Sequence, residues 1–325
     1  MAQTVDERKV EADRLFNEAK KQYSISQFRE ALQLWQQALV IYIEIGDREG
    51  EAISLGNLGA AYLSFAKYER AIDFLEQSLA ISREIRNRQG EANSLGNLGN
   101  AYRSLAEYER AIDFYQQSLA IKREIEDRQG EAASLSNLGI AYRSLAKYER
   151  AIAFHEQSLA ISRDIGYRQG EAASLGSLGA AYYLLAEYEQ AIDFHQQSLA
   201  IDREIGNRQG EAASLGNLGA AYYRLAEYEQ AIDFHQQSLA IDREIGDRQG
   251  EASSLNNLGN AYRSLEEYEQ AIDFYEQSLD IFSKIKDREG EANSLNNLGA
   301  AYYLLEEYEQ AIDFYEQSLT IYRKI

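Results

Sequence analysis

One asparagine returns every 40 residues along this chain, at Asn17, Asn57, Asn97, Asn137, Asn217, Asn257 and Asn297, with Ser177 completing the series. A carboxamide both donates and accepts, so a row of them can grip the peptide units of an extended segment without reading its side chains. Six residues further on, a second column reads Leu63, Arg103, Arg143, Tyr183, Tyr223, Arg263 and Tyr303. Beside it run Ser64, Ser104, Ser144, Leu184, Arg224, Ser264 and Leu304. Arg103 and Arg143 offer guanidinium forks for carboxylates, whereas Tyr with Leu offers apolar surface. Asn100 and Asn260 add further amides. These residues form the candidate peptide-binding set, and the matching ligand is acidic at one end and bulky and apolar towards the other. Two plainer uses compete with it: each Asn bonding a carbonyl of a neighbouring helix, and each Arg solvated or paired with a nearby acid such as Glu107.

Other chemistry-bearing residues do not converge. His155, His195 and His235 are spaced 40 apart and share their column with Trp35, Leu75, Tyr115, Tyr275 and Tyr315. That company marks a half-buried packing position rather than a metal or acid–base site. Carboxylate pairs such as Glu69 with Asp73 recur in almost every copy, whereas a catalytic pair needs one special environment. No phosphate loop, nucleophile elbow or zinc spacing is present. The chain has no cysteine, so disulfides and thiolate chemistry are excluded. The expectation is a non-enzymatic protein without cofactor or metal.

The 40-residue period itself is G-E-A-x-S-L-x-x-L-G-x-A-Y, starting at Gly50, Gly90, Gly130, Gly170, Gly210, Gly250 and Gly290 without insertion or deletion. A divergent copy fills residues 10–49. Within the copy that starts at Gly50, Ala52, Leu55, Leu58, Gly59, Tyr62 and Phe65 follow helical spacing, as do Tyr68, Ala71, Ile72, Leu75 and Leu79. Ala66-Lys67 leaves room only for a tight turn, so each copy is an antiparallel helix pair. Links such as Gly46-Asp47 read as a helix-ending glycine followed by an N-cap. Three glycines in the first helical half and a turn in every copy argue against a long coiled coil.

In the first helix the columns that differ between copies are those of residues 53, 56, 57, 60, 63 and 64, which share one arc about 120° wide. The fixed columns fill the rest. The helix therefore packs on its fixed side and faces outward on its varied side. Diversity between copies is expected to be confined to that one solvent-lined stripe.

The string Leu58-Gly59-x-x-Tyr62, followed by Tyr68, Ala71 and Leu79, resembles a tetratricopeptide repeat, with Gly59 expected to meet Ala71 where the helices touch. Leu55 stands where that family has a large aromatic, and Arg83 stands in place of its closing proline. In length and in its A-x-x-L-x-N-L-G string the repeat is more similar to the long repeats of kinesin light chains and spindle-orientation adaptors. The resemblance implies a single domain over residues 1–325, an all-α, right-handed α-solenoid of eight helix pairs at about 10–49, 50–89, 90–129, 130–169, 170–209, 210–249, 250–289 and 290–325. It also implies that the first helices line a concave groove, where asparagines hold an extended partner segment.

Composition narrows the partners. The net charge is −20, spread over all repeats, which repels phosphate backbones and anionic lipid, so nucleic-acid and membrane roles are not expected. The first residues contain no apolar leader, and no run of about 18 apolar residues occurs. A soluble cytoplasmic protein is the expectation. In the first copy, Glu18 and Gln22 stand where Leu58 and Tyr62 stand, as in a capping repeat. At the other end Phe314, Leu319 and Ile325 lack a polar cap, which points either to further chain or to end-to-end self-association. The reading that results is an interaction scaffold for an extended peptide or partner helix. The alternative is a structural arm or the sensor portion of a larger signalling protein, with no peptide ligand.

Overall fold

The structure, a computed structural model, describes residues 4–25 and 27–325; the leading residues 1–3, where part of the no-leader expectation falls, lie outside it. Sixteen α-helices and no strand are present among the described residues. In pairs these are α1 (Val5–Ser24) with α2 (Phe28–Ile45), α3 (Arg48–Ser64) with α4 (Tyr68–Glu84), α5 (Arg88–Ser104) with α6 (Tyr108–Glu124), and α7 (Arg128–Ser144) with α8 (Tyr148–Asp164). The series continues with α9 (Arg168–Leu184) and α10 (Tyr188–Ile205), α11 (Arg208–Arg224) and α12 (Tyr228–Ile245), α13 (Arg248–Ser264) and α14 (Tyr268–Ile285), and α15 (Arg288–Leu304) and α16 (Tyr308–Tyr322). The chain divides into two compact halves, residues 1–165 and 166–325, each a stack of four helix pairs in α-solenoid style.

The links do what their residues allow. The side chains of Asp47, Asn87, Asp127, Asn207, Asp247 and Asp287 each accept from the backbone N–H three residues on, at 2.8–3.2 Å, satisfying an orphan donor of the helix that follows. Tyr167 stands at the same place before α9 and makes no such bond. Gly46, Gly206 and Gly246 close α2, α10 and α12 in the left-handed conformation, with φ of 70–73°. From α3–α4 onward, the turn inside each pair puts a non-glycine residue in that same region, from Ala66 at φ 53° to Glu306 at φ 64°.

Each pair from α3–α4 onward is fastened in the same way. Leu58, Leu98, Leu138, Leu178, Leu218, Leu258 and Leu298 are fully enclosed. The hydroxyl of Ser78 donates to the Ala52 carbonyl at 2.8 Å, and Ser118, Ser158, Ser198, Ser238, Ser278 and Ser318 repeat the bond in their own pairs. Tyr62 stacks on Phe74 with centroids 5.3 Å apart, again in every later pair. Gly59 lies closest to the Leu75 side chain, where an added Cβ would stand 2.5 Å from it, with the Ala71 carbonyl next at 3.2 Å. Between pairs, Glu91 binds Arg83 at 2.9 Å and Arg88 at 2.5 Å, and Glu131 binds Arg123 and Arg128 likewise.

Three sequence expectations need correction. The column of Trp35, Leu75, Tyr115, His155, His195, His235 and Tyr275 is fully buried, not half-buried, because from Leu75 on the side chain lies directly on the glycine of the facing helix, while Trp35 packs with Ala19; only Tyr315 is exposed. The column of Tyr68, placed on the apolar spacing of the second helix, is half-buried rather than core, and exposed at Tyr308. Finally, diversity is not confined to one wet stripe. Tyr42, Ser82, Lys122, Ser162, Asp202, Asp242 and Phe282 share one column and are all buried. The glycine that opens the next first helix leaves room there for whatever side chain is present, as Gly50 does for the Tyr42 ring and Gly250 for Asp242.

Candidate functional site

The varied columns of the first helices stay accessible. Residues 53, 56, 57, 60, 63 and 64, with their equivalents in the later repeats, are half-buried or exposed, and none is buried. Arg103, Arg143, Tyr183, Tyr223 and Arg263 are half-buried, while Tyr303 is mostly exposed. None of them is wedged out of reach between helices.

In the N-terminal half, Asn57, Asn97 and Asn137 line one open concavity of about 530 Å³. Its floor is made of small residues, among them Gly56, Gly96 and Ser134, so a bound backbone can come close. Among the described residues, the amides of Asn57, Asn97, Asn137, Asn217 and Asn257 have no hydrogen-bond partner in the protein. Asn297 differs: its Nδ2 donates to Asn256 Oδ1 at 3.0 Å. Asn257, Asn256 and Asn293 line a smaller concavity of about 300 Å³ in the C-terminal half. Asn17 on α1 is exposed.

Asn100, which also lines the N-terminal concavity, and Asn260 serve the protein's own packing as well. Tyr115 donates its hydroxyl to Asn100 Oδ1, and Tyr275 donates to Asn260 Oδ1, both at 2.8 Å. These two amides satisfy buried phenols from the facing helix. Burial pushes the Tyr115 phenol up, and the adjacent Arg103 guanidinium draws it back; Arg263 does the same for Tyr275. Arg143 lies near His155, and burial together with the Arg103 charge lowers its own pKa. Glu107 pairs with Arg110 at 2.6 Å rather than with Arg103. Among the described residues no carboxylate pairs with Arg103, Arg143 or Arg263, in a chain that has 53 acidic residues.

The tyrosines of the C-terminal half come in pairs. Tyr183 meets Tyr188 edge to face at 5.5 Å, Tyr223 meets Tyr228 at 5.5 Å, and Tyr303 meets Tyr308 at 5.6 Å. The Arg224 guanidinium lies over Tyr188 at 5.4 Å, and the Tyr223 hydroxyl is 3.0 Å from Ser264 Oγ. Sequence reasoning overlooked Asn93, Asn256, Asn293 and Lys122. Lys122 is buried at the edge of the N-terminal concavity, where it donates to Asn93 Oδ1 at 2.8 Å and pairs with Asp127 at 2.7 Å. The available signal was the column of Ile53, in which Asn93 and Asn293 stand among Ala and Ser. Among the described residues, no group of three or more His, Asp or Glu side chains is placed to hold a metal, and no helix is long and apolar enough to cross a membrane.

A tetratricopeptide repeat model matches residues 23–84, 75–124, 90–164, 170–244 and 246–324. The chain belongs to the tetratricopeptide repeat family. Solved structures of the same fold include a signal transduction ATPase with numerous domains from Pyrococcus horikoshii that carries a tetratricopeptide repeat sensor. It is 16% identical with a TM-score of 0.75, over 95% of this chain and 47% of that one. A Rap protein complexed with competence and sporulation factor is 17% identical over 97% of this chain and 98% of that one, with a TM-score of 0.62. A kinesin light chain with nearly identical repeats from P. anserina is 23% identical over 60% of this chain and 95% of that one, with a TM-score of 0.51. At these identities the likeness concerns the fold. Comparison with curated proteins finds no match.

Proposed function

We propose that this tetratricopeptide repeat protein is a non-enzymatic, cytoplasmic interaction scaffold whose first-helix faces hold an extended segment of another protein. One observation carries the reading: Asn57, Asn97 and Asn137 present unpartnered amides along one concavity, one per repeat. Neighbouring helices lie about 8–10 Å apart and an extended chain rises about 3.3 Å per residue, so each amide meets roughly every third ligand residue. Arg103 and Arg143 give the N-terminal half a preference for acidic side chains. Tyr183 with Leu184, Tyr223, and Tyr303 with Leu304 give the C-terminal half a preference for apolar ones. The Rap protein complexed with competence and sporulation factor supports the use of this fold for such a ligand.

The test is a peptide-display selection followed by titration. Acidic and apolar extended segments should be enriched. Asn97→Ala combined with Asn137→Ala removes two bonds of about 0.5–1.5 kcal/mol each, so binding should weaken roughly tenfold while the melting temperature stays put. A large fall in melting temperature at unchanged affinity returns the asparagines to a packing role. A sensor portion of a larger signalling protein is the second reading, supported by the likeness to the sensor-bearing ATPase; it is favoured if selection enriches nothing.

A further inference from the structure

Counted half by half, the negative charge is not evenly spread. Residues 1–165 carry 21 basic and 25 acidic side chains, whereas residues 166–325 carry 12 and 28. Two columns account for much of the difference. The turn after α7 carries Lys147, where repeats five to eight have Glu187, Glu227, Glu267 and Glu307. Arg70, Arg110 and Arg150 give way to Gln190, Gln230, Gln270 and Gln310. The surface that repels anions therefore belongs to the C-terminal half, and the N-terminal half is nearly balanced.

Within that half, Arg103 on α5 and Arg143 on α7 occupy one column of successive first helices, and both are half-buried. Arg103 has a use in the fold, because its guanidinium lies against the Tyr115 hydroxyl, as Arg263 lies near Tyr275. Arg143 has no such use. It lies near His155, yet the repeats that carry His195 and His235 put Tyr183 and Tyr223 in its column. Its charge is also close enough to that of Arg103 for the two to repel, and among the described residues no carboxylate pairs with either. Ser104 and Ser144 beside them are short and exposed, where repeats five, six and eight have Leu184, Arg224 and Leu304. Packing thus leaves two like charges side by side, open to solvent and without a counter-ion.

A carboxylate carries one charge and balances only one of these groups. A phosphomonoester carries about −1.5 to −2 at pH 7 and three acceptor oxygens, enough to engage two guanidinium forks together. Arg263, with Tyr223 and Tyr303 on either side in its column, has no second guanidinium in the neighbouring repeats and suits a single carboxylate. We propose that Arg103 and Arg143 together bind one phosphorylated side chain, so that the partner segment is recognised in its phosphorylated form. This rests on the scaffold reading above and adds a charge selectivity that the asparagine row does not supply.

The probe is a pool of short degenerate peptides with one fixed central residue, made in three forms: phosphoserine, glutamate and serine. The immobilised 325-residue chain should retain the phosphoserine pool about tenfold more strongly than the glutamate pool. Arg143→Tyr, the side chain found in this column in repeats five and six, abolishes that preference and leaves the melting temperature unchanged. Arg103→Gln also abolishes it, while Arg143→Lys keeps part of it, since an ammonium retains the charge but not the fork. Arg263→Gln leaves the preference intact. Equal retention of the phosphoserine and glutamate pools, or a preference that survives Arg143→Tyr, overturns this proposal and leaves the scaffold reading standing. Retention of none of the three pools overturns both.

Discussion

A histidine ring enclosed between two helices, with neither nitrogen partnered, resists protonation, and His155 is in that position. Burial, helped by the Arg143 charge, takes its pKa down to about 4; burial alone does the same for His195 and His235. The folded state thus binds fewer protons than the unfolded state below the ordinary histidine value of about 6.5. Stability is complete above that pH and falls as the pH drops towards 4, by up to about 3 kcal/mol per ring. Asp202 and Asp242, whose pKa values burial raises, act in the opposite sense and offset part of the loss. Replacing all three histidines with Leu, the residue that fills this column at Leu75, should flatten the urea-midpoint profile between pH 6.5 and 4 relative to the wild type. An unchanged profile would show that the rings reach water in the folded state. The asparagine row was legible because its columns vary while staying polar. The role of Asn100 and Asn260 needed two columns read together: Asn faces Tyr at 100/115 and 260/275, and Ile or Ala faces His at 140/155, 180/195 and 220/235. Repeat eight combines Ala300 with Tyr315, whose ring is open to solvent instead.

At the level of the helix, glycines in α5 are not equivalent. A Cβ on Gly99 would stand 2.5 Å from the Tyr115 ring, which is itself held at its hydroxyl by Asn100 and cannot retreat. Gly96 would meet only Ser118 Oγ, at 3.6 Å. Gly99→Ala should destabilise by about 1–3 kcal/mol through overpacking. Gly96→Ala should stabilise by about 0.5–1 kcal/mol, because an interior helical glycine loses the most backbone entropy on folding. Chemical denaturation of the two variants checks both signs. Helix pairs, caps and the tight turn could be read from spacing and from Gly and Asp positions. The serine bond from the second helix to the first, and the buried varied column at Lys122 and Asp202, could not. A polar residue at helical spacing reads as surface until the facing glycine is known to sit opposite it.

Within each half, a helix pair packs chiefly on its sequence neighbours, so local stability follows how many neighbours a helix has. In the C-terminal half, amide hydrogen exchange at low protein concentration should be fastest in α16 and slower in α12 to α14. Equal protection along the half would show that the pairs unfold as one block. The solenoid class was fully legible from the 40-residue period. Repeats five and six differ only at Ser177/Asn217, Leu184/Arg224 and Asn207/Asp247, and each second helix meets a glycine-led first helix of the same kind. Removing or duplicating 40 residues between matching points of these two repeats therefore joins surfaces that already fit each other. Recombination between near-identical stretches of the gene can change the reach of this protein in whole steps, with no new packing problem to solve at the junction.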